Sequence, residues 1–461
     1  MQRREFLKTS ALAMGGFAMM GTSPSVFART KGANDKIKVG IIGFSDRCRY
    51  SLIPAFQANA KALGFEIVAV SDIWSLRREE AVKLVEKYDF IALPVVDASG
   101  RMLGVITHDD VLNNEELYDS RMCDAVIIST ADFQHALHLV EAVNAGCDAY
   151  VEKPLAETMA DARLALETAR RHNKVIQIGS QRRSAPNYKA AFDYIQSGKF
   201  GPLTMVEMSW NVNQPGRWRR PALVAKCFEK DTDWKRFLLN RPYEDWDPRK
   251  YLEYRLFWPY SSGIPGQWMS HQIDTVHWFT GLAHPRSVAA NGGVYCWKDG
   301  RRNYDTLTAV FDYGDDEGRQ GFQVLYTSRM HNDAGGVKEL YFSNGGTLNL
   351  DTNEISSEGG LSEDAAAEMG MHANLLDSYT LPSVDVNTEA NTGGDEMTSL
   401  HMYNWMKCVR ERNQATNAPI QAGYNHSIAT IMCNAAVRTG EKATFDEATQ
   451  EVLAGGKPFK Y

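Results

Sequence analysis

Residues 37–43, Ile-Lys-Val-Gly-Ile-Ile-Gly, decide the fold of this chain. The run is almost entirely apolar and ends in glycine, which predicts a strand buried in a parallel sheet. Residues 50–63 follow with the pattern of a helix, and residues 66–72, Glu-Ile-Val-Ala-Val-Ser-Asp, predict a second strand that ends in an acid. The three segments therefore predict a β-α-β unit with a glycine turn and a carboxylate at one edge of the sheet.

The alternation of strands and helices continues along the first third of the chain. Residues 125–130 predict another strand and residues 136–145 another helix, after which an apolar run leads into Glu152-Lys153-Pro154. Repetition in this order predicts an α/β fold, a doubly wound parallel sheet, over residues 35–155. Lys153 then lies at the carboxyl edge of the sheet, where such folds bind ligands.

Residues 156–455 have a different character and predict a second, α+β domain. Aromatic-rich segments come first, alternating strands such as residues 306–313 and 321–326 follow, and a helical region runs from about residue 396 to 439. Residues 352–395 have little periodicity and predict surface loops.

Composition restricts the class of protein. The chain has 461 residues, of which 44% are hydrophobic and 23% charged, which suits two globular domains. A net charge of -7 without a basic run argues against nucleic-acid binding. Seven cysteines without a C-x-x-C pair predict neither a metal site nor a disulfide framework.

The N-terminus has the features of a targeting segment. Arg3 and Arg4 precede an apolar stretch from Ala11 to Met20, and small residues end at Ala28. This pattern predicts a twin-arginine signal peptide over residues 1–28, recognised by the twin-arginine translocase. The apolar stretch is short for a membrane span, so we expect no stable membrane insertion after cleavage and a periplasmic or otherwise exported protein.

The first β-α turn only partly matches a dinucleotide-binding fingerprint. Gly43, Ser45 and Cys48 stand where G-x-G-x-x-G asks for three glycines. A serine at the second position either donates its hydroxyl to a phosphate or displaces the nucleotide, and the sequence leaves both open. Asp72 stands where an acid binds the adenosine ribose and favours NAD, whereas Arg77 and its neighbour Arg78 leave NADP possible.

The motifs, taken in order, resemble the glucose-fructose oxidoreductase, inositol dehydrogenase and rhizopine-catabolism (Gfo/Idh/MocA) family, and most closely its exported members. The resemblance covers almost the whole mature chain. It rests on these stretches: residues 39–43, Asp72, Thr130 with His135, residues 152–154, Gly179-Ser-Gln-Arg-Arg183 and His271-Gln-Ile-Asp274. The resemblance implies an N-terminal Rossmann domain, a C-terminal domain built on a large open, mainly antiparallel sheet, a nicotinamide cofactor, and a carbohydrate or cyclitol substrate.

The resemblance also implies roles for single residues. Lys153 matches the lysine that contacts the substrate oxygen near the nicotinamide, and His271 matches the proton acceptor. Gln267 stands where dehydrogenases of the family often have an aspartate. Gln267, His271 and Asp274 are spaced i, i+4 and i+7 on a predicted helix, so we expect Gln267 to orient His271 and Asp274 to support it by charge.

Two further sets of contacts complete the predicted site. The cofactor contacts lie on the loops that follow the strands: Gly43, Ser45, Asp46, Arg47, Asp72, Thr130, His135, Glu152 and Lys153. The sugar contacts are guanidinium groups and aromatic rings: Arg182, Trp210, Arg217, Arg255 and Tyr260, with Trp218 as a further aromatic candidate.

Residues 91–112 are atypical of the family. They resemble the strand-turn-strand core of a cystathionine-beta-synthase (CBS) domain, in which a Thr and an Asp spaced like Thr107 and Asp110 contact adenosine nucleotides. A nucleotide sensor, a hairpin that supplies or displaces the third strand of the sheet, and an inserted segment all remain open.

Three functions are compatible with these patterns. The first hypothesis is an exported NAD(P)-dependent oxidoreductase that acts on a secondary alcohol of a sugar, glycoside or cyclitol and holds its cofactor tightly. The second is a glycoside hydrolase that uses NAD transiently by oxidation at C3 and elimination, and the third is a non-catalytic sugar-binding protein. A homo-oligomer is expected from the resemblance alone.

Overall fold

The computed structural model describes residues 36–87, 95–96, 102–103, 123–314, 321–383 and 395–460. The predicted signal peptide lies outside these residues. Within the described ranges, no helix combines the length and the apolar character that a membrane span requires. Two sheets dominate the described part of the chain, and each forms the centre of one domain.

The N-terminal sheet has five strands, all parallel, in the order β2-β1-β5-β6-β7. Its strands are β1 (Ile37–Ile42), β2 (Phe65–Ser71), β5 (Ala125–Ile128), β6 (Asp148–Val151) and β7 (Ile176–Ile178). Every residue of β5, β6 and β7 is buried, as expected for a parallel sheet covered on both faces. The predicted doubly wound parallel sheet is therefore confirmed.

The C-terminal sheet has eleven strands in the order β15-β14-β13-β12-β8-β11-β10-β9-β16-β17-β18, and only the β8–β11 pair is parallel. Its strands are β8 (Leu203–Asn211), β9 (Ser287–Gly293), β10 (Thr306–Gly314), β11 (Gly321–Arg329), β12 (Val337–Ser343), β13 (Gly346–Asn349), β14 (Glu354–Ser356), β15 (Tyr379–Thr380), β16 (Ala443–Asp446), β17 (Glu451–Ala454) and β18 (Lys457–Pro458). Buried residues alternate with more exposed ones along β10 and β11, so one face of the sheet packs on the core. The large, mainly antiparallel sheet implied by the resemblance is confirmed.

The helices cover both faces of the first sheet and one face of the second. In chain order they are α1 (Ile53–Leu63), α2 (Ser75–Lys87), α3 (His135–Asn144), α4 (Met159–Arg171), α5 (Pro186–Gln196), α6 (Pro221–Val224), α7 (Trp234–Leu238), α8 (Pro248–Leu252), α9 (Ser270–Thr280), α10 (Glu363–Glu368), α11 (Glu396–Glu411) and α12 (Ile420–Thr439). Wider helical turns, Cys48–Leu52 and Pro265–Met269, lead into α1 and α9. Helix α12 is buried along most of its length and packs on both α4 and β9, so it joins the two domains.

Two segments differ from the sequence-based expectation. Strand β7 pairs with β6, so the parallel sheet continues past residue 155 because one more α-β unit, α4 and β7, completes it. Val95–Val96 (β3) and Met102–Leu103 (β4) pair antiparallel as a separate two-stranded sheet that does not join the five-stranded sheet. The remainder of the CBS-like segment, including Thr107 and Asp110, lies outside the described residues.

Candidate active site

A cavity of about 710 Å³ opens at the carboxyl edge of the five-stranded sheet, where the C-terminal domain meets it. Loops after β1, β2, β5 and β6 form one side, and residues of β8, β12 and the Pro265–Met269 turn form the other. All nine predicted cofactor residues line this cavity. Parallel sheets bind their ligands at this edge because successive loops diverge there and leave a crevice.

Gly43 makes the first turn possible. Its φ of 84° lies in the left-handed region, which glycine adopts without a steric penalty. A Cβ at this position would approach Thr130 Cγ2 to 2.7 Å and the Ser129 carbonyl oxygen to 3.0 Å. The loop after β1 can therefore pass close to the loop after β5 only because residue 43 has no side chain.

Ser45 is turned towards the protein. Its hydroxyl accepts a hydrogen bond from the Cys48 backbone N–H at 3.3 Å and donates one to Ser129 Oγ at 3.3 Å. The hydroxyl thus satisfies one of the free N–H groups at the beginning of the Cys48–Leu52 turn, as a helix cap does. Because the side chain is held within the loop, the missing second glycine leaves the crevice open.

Asp72 lies at the end of β2 and faces the glycine turn. Its two carboxylate oxygens accept hydrogen bonds from the backbone N–H groups of Phe44, at 2.8 Å, and Trp74, at 2.9 Å. The Tyr251 hydroxyl also donates to Oδ1 at 3.5 Å, whereas Oδ2 keeps a second lone pair that can accept a hydroxyl hydrogen of a ribose. Burial raises the pKa of Asp72, and the backbone hydrogen bonds oppose the rise.

The two arginines after β2 are engaged elsewhere. Arg77 pairs with Asp46 at 2.8 Å and with Glu80 at 2.7 Å, and Arg78 donates to the Asp72 carbonyl oxygen at 3.0 Å. A 2′-phosphate would have to displace these partners. Asp72 is therefore suited to bind the ribose hydroxyls of NAD, in line with the sequence-based expectation.

The remaining predicted cofactor residues hold the loops together. Arg47 pairs with Glu152 at 3.0 Å and so links the glycine turn to the loop after β6. The two ring nitrogens of His135 face the carbonyl oxygens of Pro154, at 2.7 Å, and Thr130, at 3.2 Å. The Thr130 hydroxyl itself is buried without a hydrogen-bond partner among the described residues.

These observations fit a dinucleotide. A close turn with Gly43, a free lone pair on Asp72 Oδ2 and an unsatisfied hydroxyl at Thr130 lie along one crevice. Unsatisfied buried polar atoms cost free energy unless a ligand or water pairs with them. The residues present therefore suit NAD, which would lie across the carboxyl ends of β1, β2 and β5.

Lys153 is buried at the inner end of this crevice. Its ammonium donates to the Gln267 carbonyl oxygen at 2.6 Å and to the Gly266 carbonyl oxygen at 3.4 Å. An ammonium has three N–H donors, so one remains for a ligand oxygen in the cavity. Burial lowers the pKa of Lys153 to about 8, and the negative charges of Asp132 and Glu152 oppose this effect.

His271 is the second residue of α9, is half-buried and lines the same cavity. Its ring stacks on Trp210, with centroids 6.0 Å apart, and Trp210 in turn stacks on Trp268 at 5.8 Å. No described residue forms a hydrogen bond with the imidazole. Burial and then the positive charges of Lys153, Arg182 and Arg47 hold the pKa of His271 well below its usual value, so the ring is neutral at pH 7.

Gln267 has a different role from the one expected. Its side-chain N–H donates to Asp132 Oδ2 at 2.6 Å, and its side-chain oxygen accepts from Arg255 Nε at 2.7 Å. The amide therefore orients Arg255, and not His271, because it points across the turn and away from α9. Asp132 also accepts a hydrogen bond from the Ser261 hydroxyl at 2.6 Å and forms the buried floor below Lys153.

The expected support of His271 by Asp274 is a second correction. The Asp274 carboxylate forms two hydrogen bonds with Arg183, at 2.7 Å and 3.0 Å, and faces His426 at 3.7 Å. The Arg183 charge holds the pKa of Asp274 far below its usual value. Asp274 is buried outside the cavity lining, so its charge balances Arg183 instead of reaching the imidazole.

The structure brings three of the five predicted sugar contacts to the cavity and leaves two outside it. Arg182, Trp210 and Arg255 line the wall, with Arg182 paired to the buried Glu339. Arg217 instead packs over the Trp268 ring, 5.4 Å from its centroid, and bonds to Gln214. Tyr260 is a core residue that packs against Phe133, Trp234 and Phe237.

Trp218, a further aromatic candidate for a sugar contact, lines the cavity, whereas Trp268 and Asp132 were not predicted as site residues. Trp218 has a φ of 62°, which is rare for a bulky side chain and is found mostly where a site requires it. Its ring packs on Trp268 with centroids 5.1 Å apart. The places of Trp268 and Asp132 in the sequence were a signal, because Trp268 follows the motif residue Gln267 and Asp132 lies three residues before His135.

The parallel sheet, the turn at Gly43 and the acid Asp72 after β2 define an NAD-binding Rossmann domain. Residues 37–180 match the family model described as GFO_IDH_MocA, oxidoreductase family, NAD-binding Rossmann fold. These residues are therefore similar to the NAD-binding domain of that oxidoreductase family, in line with the resemblance of the sequence motifs.

Relatives match over part of the chain. Inositol 2-dehydrogenase of Salmonella typhimurium is 29% identical over 214 residues, which are 45% of this chain and 56% of the relative. 1,5-Anhydro-D-fructose reductase of Ensifer adhaerens is 32% identical over 139 residues, 28% of this chain and 42% of the relative. The chain thus spans about half the length of the relatives that it matches.

Solved structures match over both domains. The WlbA dehydrogenase of Bordetella pertussis, in complex with NADH and UDP-GlcNAcA, has a TM-score of 0.60 at 15% identity and covers 90% of this chain and 99% of its own. An inositol dehydrogenase homologue of Azotobacter vinelandii, complexed with NADH and myo-inositol, has a TM-score of 0.60 at 17% identity and covers 89% and 98%. The two-domain fold is therefore shared with these dehydrogenases.

Proposed function

We propose that this protein is an NAD-dependent oxidoreductase that oxidises or forms a secondary alcohol of a sugar, glycoside or cyclitol. One observation carries the proposal: a buried ammonium, Lys153, and a neutral imidazole without a partner, His271, face one cavity beside a nucleotide crevice. Alcohol oxidation needs a cation for the developing alkoxide and a base for the hydroxyl proton. The names of the matching relatives, which include inositol and sugar dehydrogenases, support the same class of substrate.

The roles of the two groups follow from their surroundings. The third N–H of Lys153 donates to the substrate oxygen and stabilises its negative charge, while the Gln267 and Gly266 carbonyl oxygens fix the ammonium in place. Neutral His271 accepts the hydroxyl proton. NAD, when bound, supplies the hydride acceptor.

Aromatic rings explain why a sugar suits this cavity. Trp210, Trp268 and Trp218 form a stacked wall beside His271. Flat apolar rings pack on the C–H faces of sugars and cyclitols, whereas charged groups between them bind hydroxyls. The wall therefore excludes water from one side of the substrate and presents the alcohol carbon to the crevice.

The cofactor is proposed to be NAD and to remain bound between turnovers. Segments of the C-terminal domain close over the adenosine end: Asp233 N–H bonds to the Ile73 carbonyl oxygen, Gln134 bonds to the Phe237 carbonyl oxygen, and Arg220 pairs with Asp46 at 3.4 Å. A covered nucleotide dissociates slowly. Retention suits an exported enzyme, because no free NAD pool surrounds it.

Export and self-association belong to the same proposal. The twin-arginine pattern at Arg3 and Arg4 supports passage through the twin-arginine translocase to the periplasm or beyond the cell. The more exposed face of the large sheet carries partly exposed apolar residues, including the paired Val310 and Leu325, and Leu340 beyond the exposed Glu207. Such a face supports a homo-oligomer that covers it.

The proposal is tested with the NAD-loaded protein and a panel of sugars, glycosides and cyclitols, using the NADH absorbance. Formation of NADH with at least one alcohol, or its consumption with the matching ketone, is the expected result. Release of the aglycone from an aryl glycoside without net NADH would instead identify the transient-oxidation hydrolase. A protein that binds sugars but neither NAD nor NADP would be a sugar-binding protein and would contradict the proposal.

A further inference from the structure

Arg255 is a charged group of the cavity that the reaction just described does not use. Its Nε–H donates to the Gln267 side-chain oxygen, and its guanidinium lies over the Tyr254 ring, 4.6 Å from the centroid. Within the described residues it forms no ion pair, and it lines the cavity. A guanidinium has five N–H donors, so the terminal nitrogens remain able to bind a ligand.

The acids near this end of the cavity are already balanced. Glu152 pairs with Arg47, and Glu339 pairs with Arg182. Asp132, buried outside the lining, accepts hydrogen bonds from the neutral groups of Gln267 and Ser261, and its charge favours the protonated form of Lys153. Of the other lining acids, Asp46 pairs with Arg77, Asp72 and Asp395 accept hydrogen bonds from backbone N–H groups, and Asp351 is exposed.

The chain places a neutral amide where a carboxylate would cancel this charge. Gln267 orients the Arg255 guanidinium through an oxygen that carries no net charge. Asp132 holds the other end of the amide at 2.6 Å, so the oxygen stays turned towards Arg255. The result is a fixed guanidinium beside Lys153, and because Asp132 and Glu152 offset the charge of Lys153, Arg255 is the cation of this pair that an anionic ligand would neutralise.

We propose that the substrate carries an anionic group, a carboxylate or a sulfate ester, and that Arg255, held by Gln267 and Asp132, binds it. This inference rests on the proposed function, because it specifies the substrate class of the same site. The two terminal N–H edges of a guanidinium match two oxygens of one oxyanion, which an ammonium does not. Uronic acids, their glycosides and sulfated sugars have this chemistry.

Such a substrate would also prepare His271 for its role. The positive charges of Lys153, Arg182 and Arg47 weaken the imidazole as a base by lowering its pKa. A bound anion offsets part of this field and raises the pKa again, because an opposite charge favours the protonated ring. The base would then be most effective when the correct substrate is in place.

The test measures binding by calorimetry to the NAD-loaded protein. The probes are matched sets of methyl glycosides in the gluco, galacto and manno series, each as the neutral sugar, the uronate and the 6-sulfate. We expect at least one anionic member to bind about 10- to 100-fold more tightly than its neutral counterpart, as a charged hydrogen-bond pair would give. Preference for the uronate or for the sulfate distinguishes the two sources of the anion.

Arg255→Gln removes the charge and keeps a polar side chain. It should lower the affinity for the anionic member to about that for its neutral counterpart and so abolish the preference. Arg302→Gln, at an exposed arginine outside the cavity lining, is the matched control and should keep the preference. Equal binding of neutral and anionic members by the unchanged protein, or binding of neither, would overturn the inference.

The nucleotide content of each sample separates this inference from the proposed function. If the protein holds no NAD, the oxidoreductase proposal fails whatever the sugars do. If it holds NAD and oxidises neutral sugars as well as anionic ones, the proposed function stands and the role of Arg255 fails.

Discussion

The two halves of the cavity are built in different ways. On the nucleotide side, polar side chains such as Asp72 and Ser45 bond to the protein's own backbone, and Arg77 is held in ion pairs. On the sugar side, Lys153 and His271 keep donors or acceptors free, and Arg255 has no acid partner in the described chain. On the nucleotide side most polar groups are therefore satisfied by the protein itself. On the sugar side several polar groups keep hydrogen-bonding capacity for a ligand.

This difference separates binding from chemistry. A dinucleotide is recognised mainly by backbone shape, so changes there should remove the cofactor and leave the sugar side intact. Hydride transfer depends on a few polar groups near the reacting carbon, so changes there should stop turnover and leave the cofactor bound. Variants on each side therefore test whether cofactor binding and turnover depend on separate groups of residues.

The largest effect is expected from Lys153→Met. The change removes the cation that stabilises the alkoxide but fills a similar volume, so turnover should fall by about 10³-fold while bound NAD is unchanged. Steady-state kinetics and the nucleotide content check both parts. Lys199→Met, at an exposed lysine, is the control and should be fully active. A Lys153 variant that keeps activity would mean that the sugar side has another cation in this role.

The next effect tests the nucleotide side. In Gly43→Ala the new Cβ would lie 2.7 Å from Thr130 Cγ2 and would force the turn apart, so NAD affinity should fall by more than about 10-fold. Gly198→Ala is a matched control because Gly198 also has a positive φ, 78°, but a Cβ added there would meet no atom within 4 Å.

Calorimetry with NAD and with a sugar ligand measures both halves of the Gly43→Ala protein. Sugar affinity should be retained even where NAD affinity is lost. Equal loss of both ligands would contradict the separation of the two halves, and equal loss in the Gly198 variant would assign the effect to backbone strain alone.

A smaller, graded effect should appear with pH. Lys153 stabilises the alkoxide only when protonated, and its pKa is about 8, so kcat/KM for alcohol oxidation should fall about tenfold per unit as pH rises beyond 8. His271 acts only when neutral, and its pKa lies well below 6.5, so the acidic decline should begin at lower pH. A profile that still rises above pH 9 would show that Lys153 acts as a base and not as a cation.

The smallest effect concerns Glu157, a buried acid close to Asp132. Burial and the nearby Asp132 charge raise the pKa of Glu157 to about 8, so the folded protein holds a proton there that the unfolded chain releases near its ordinary value of 4.5. This contribution to stability is complete below pH 4.5 and is lost as pH rises towards 8.

Glu157→Gln carries no titrating proton, so its Tm relative to the unchanged protein should rise by a few degrees between pH 5 and pH 8. Thermal unfolding at the two pH values measures this difference. Glu167→Gln, at an exposed position of α4, should show no such trend. A constant difference in Tm for the Glu157 variant would mean that Glu157 is already ionised at pH 5.

The nucleotide side could be predicted from sequence because each contact follows its strand directly. Gly43 ends β1, Asp72 follows β2 and Thr130 follows β5, and parallel strands bring their carboxyl ends to one edge. The position of a residue in the chain therefore predicts its position at the site, although the orientation of Ser45 depends on a hydrogen bond that only the structure reveals.

The sugar side could be predicted only in part because its residues come from distant segments. Arg217 and Tyr260 have suitable chemistry, but packing against Trp268 and Phe133 removes them from the lining. Helical spacing predicted that Asp274 supports His271, but the Asp274 carboxylate instead pairs with Arg183 from another segment. Long-range partners of this kind are set by tertiary packing and have no local pattern in the sequence.

The central claim is that the crevice at Gly43 and Asp72 holds NAD, and nucleotide content tests it most directly. The purified protein is denatured, and the released small molecules are identified and quantified by mass spectrometry. We expect NAD(H) in amounts stoichiometric with the chain, and its loss from the Gly43→Ala protein. A folded protein that releases no nucleotide, and that takes up neither NAD nor NADP when they are offered, would contradict the account.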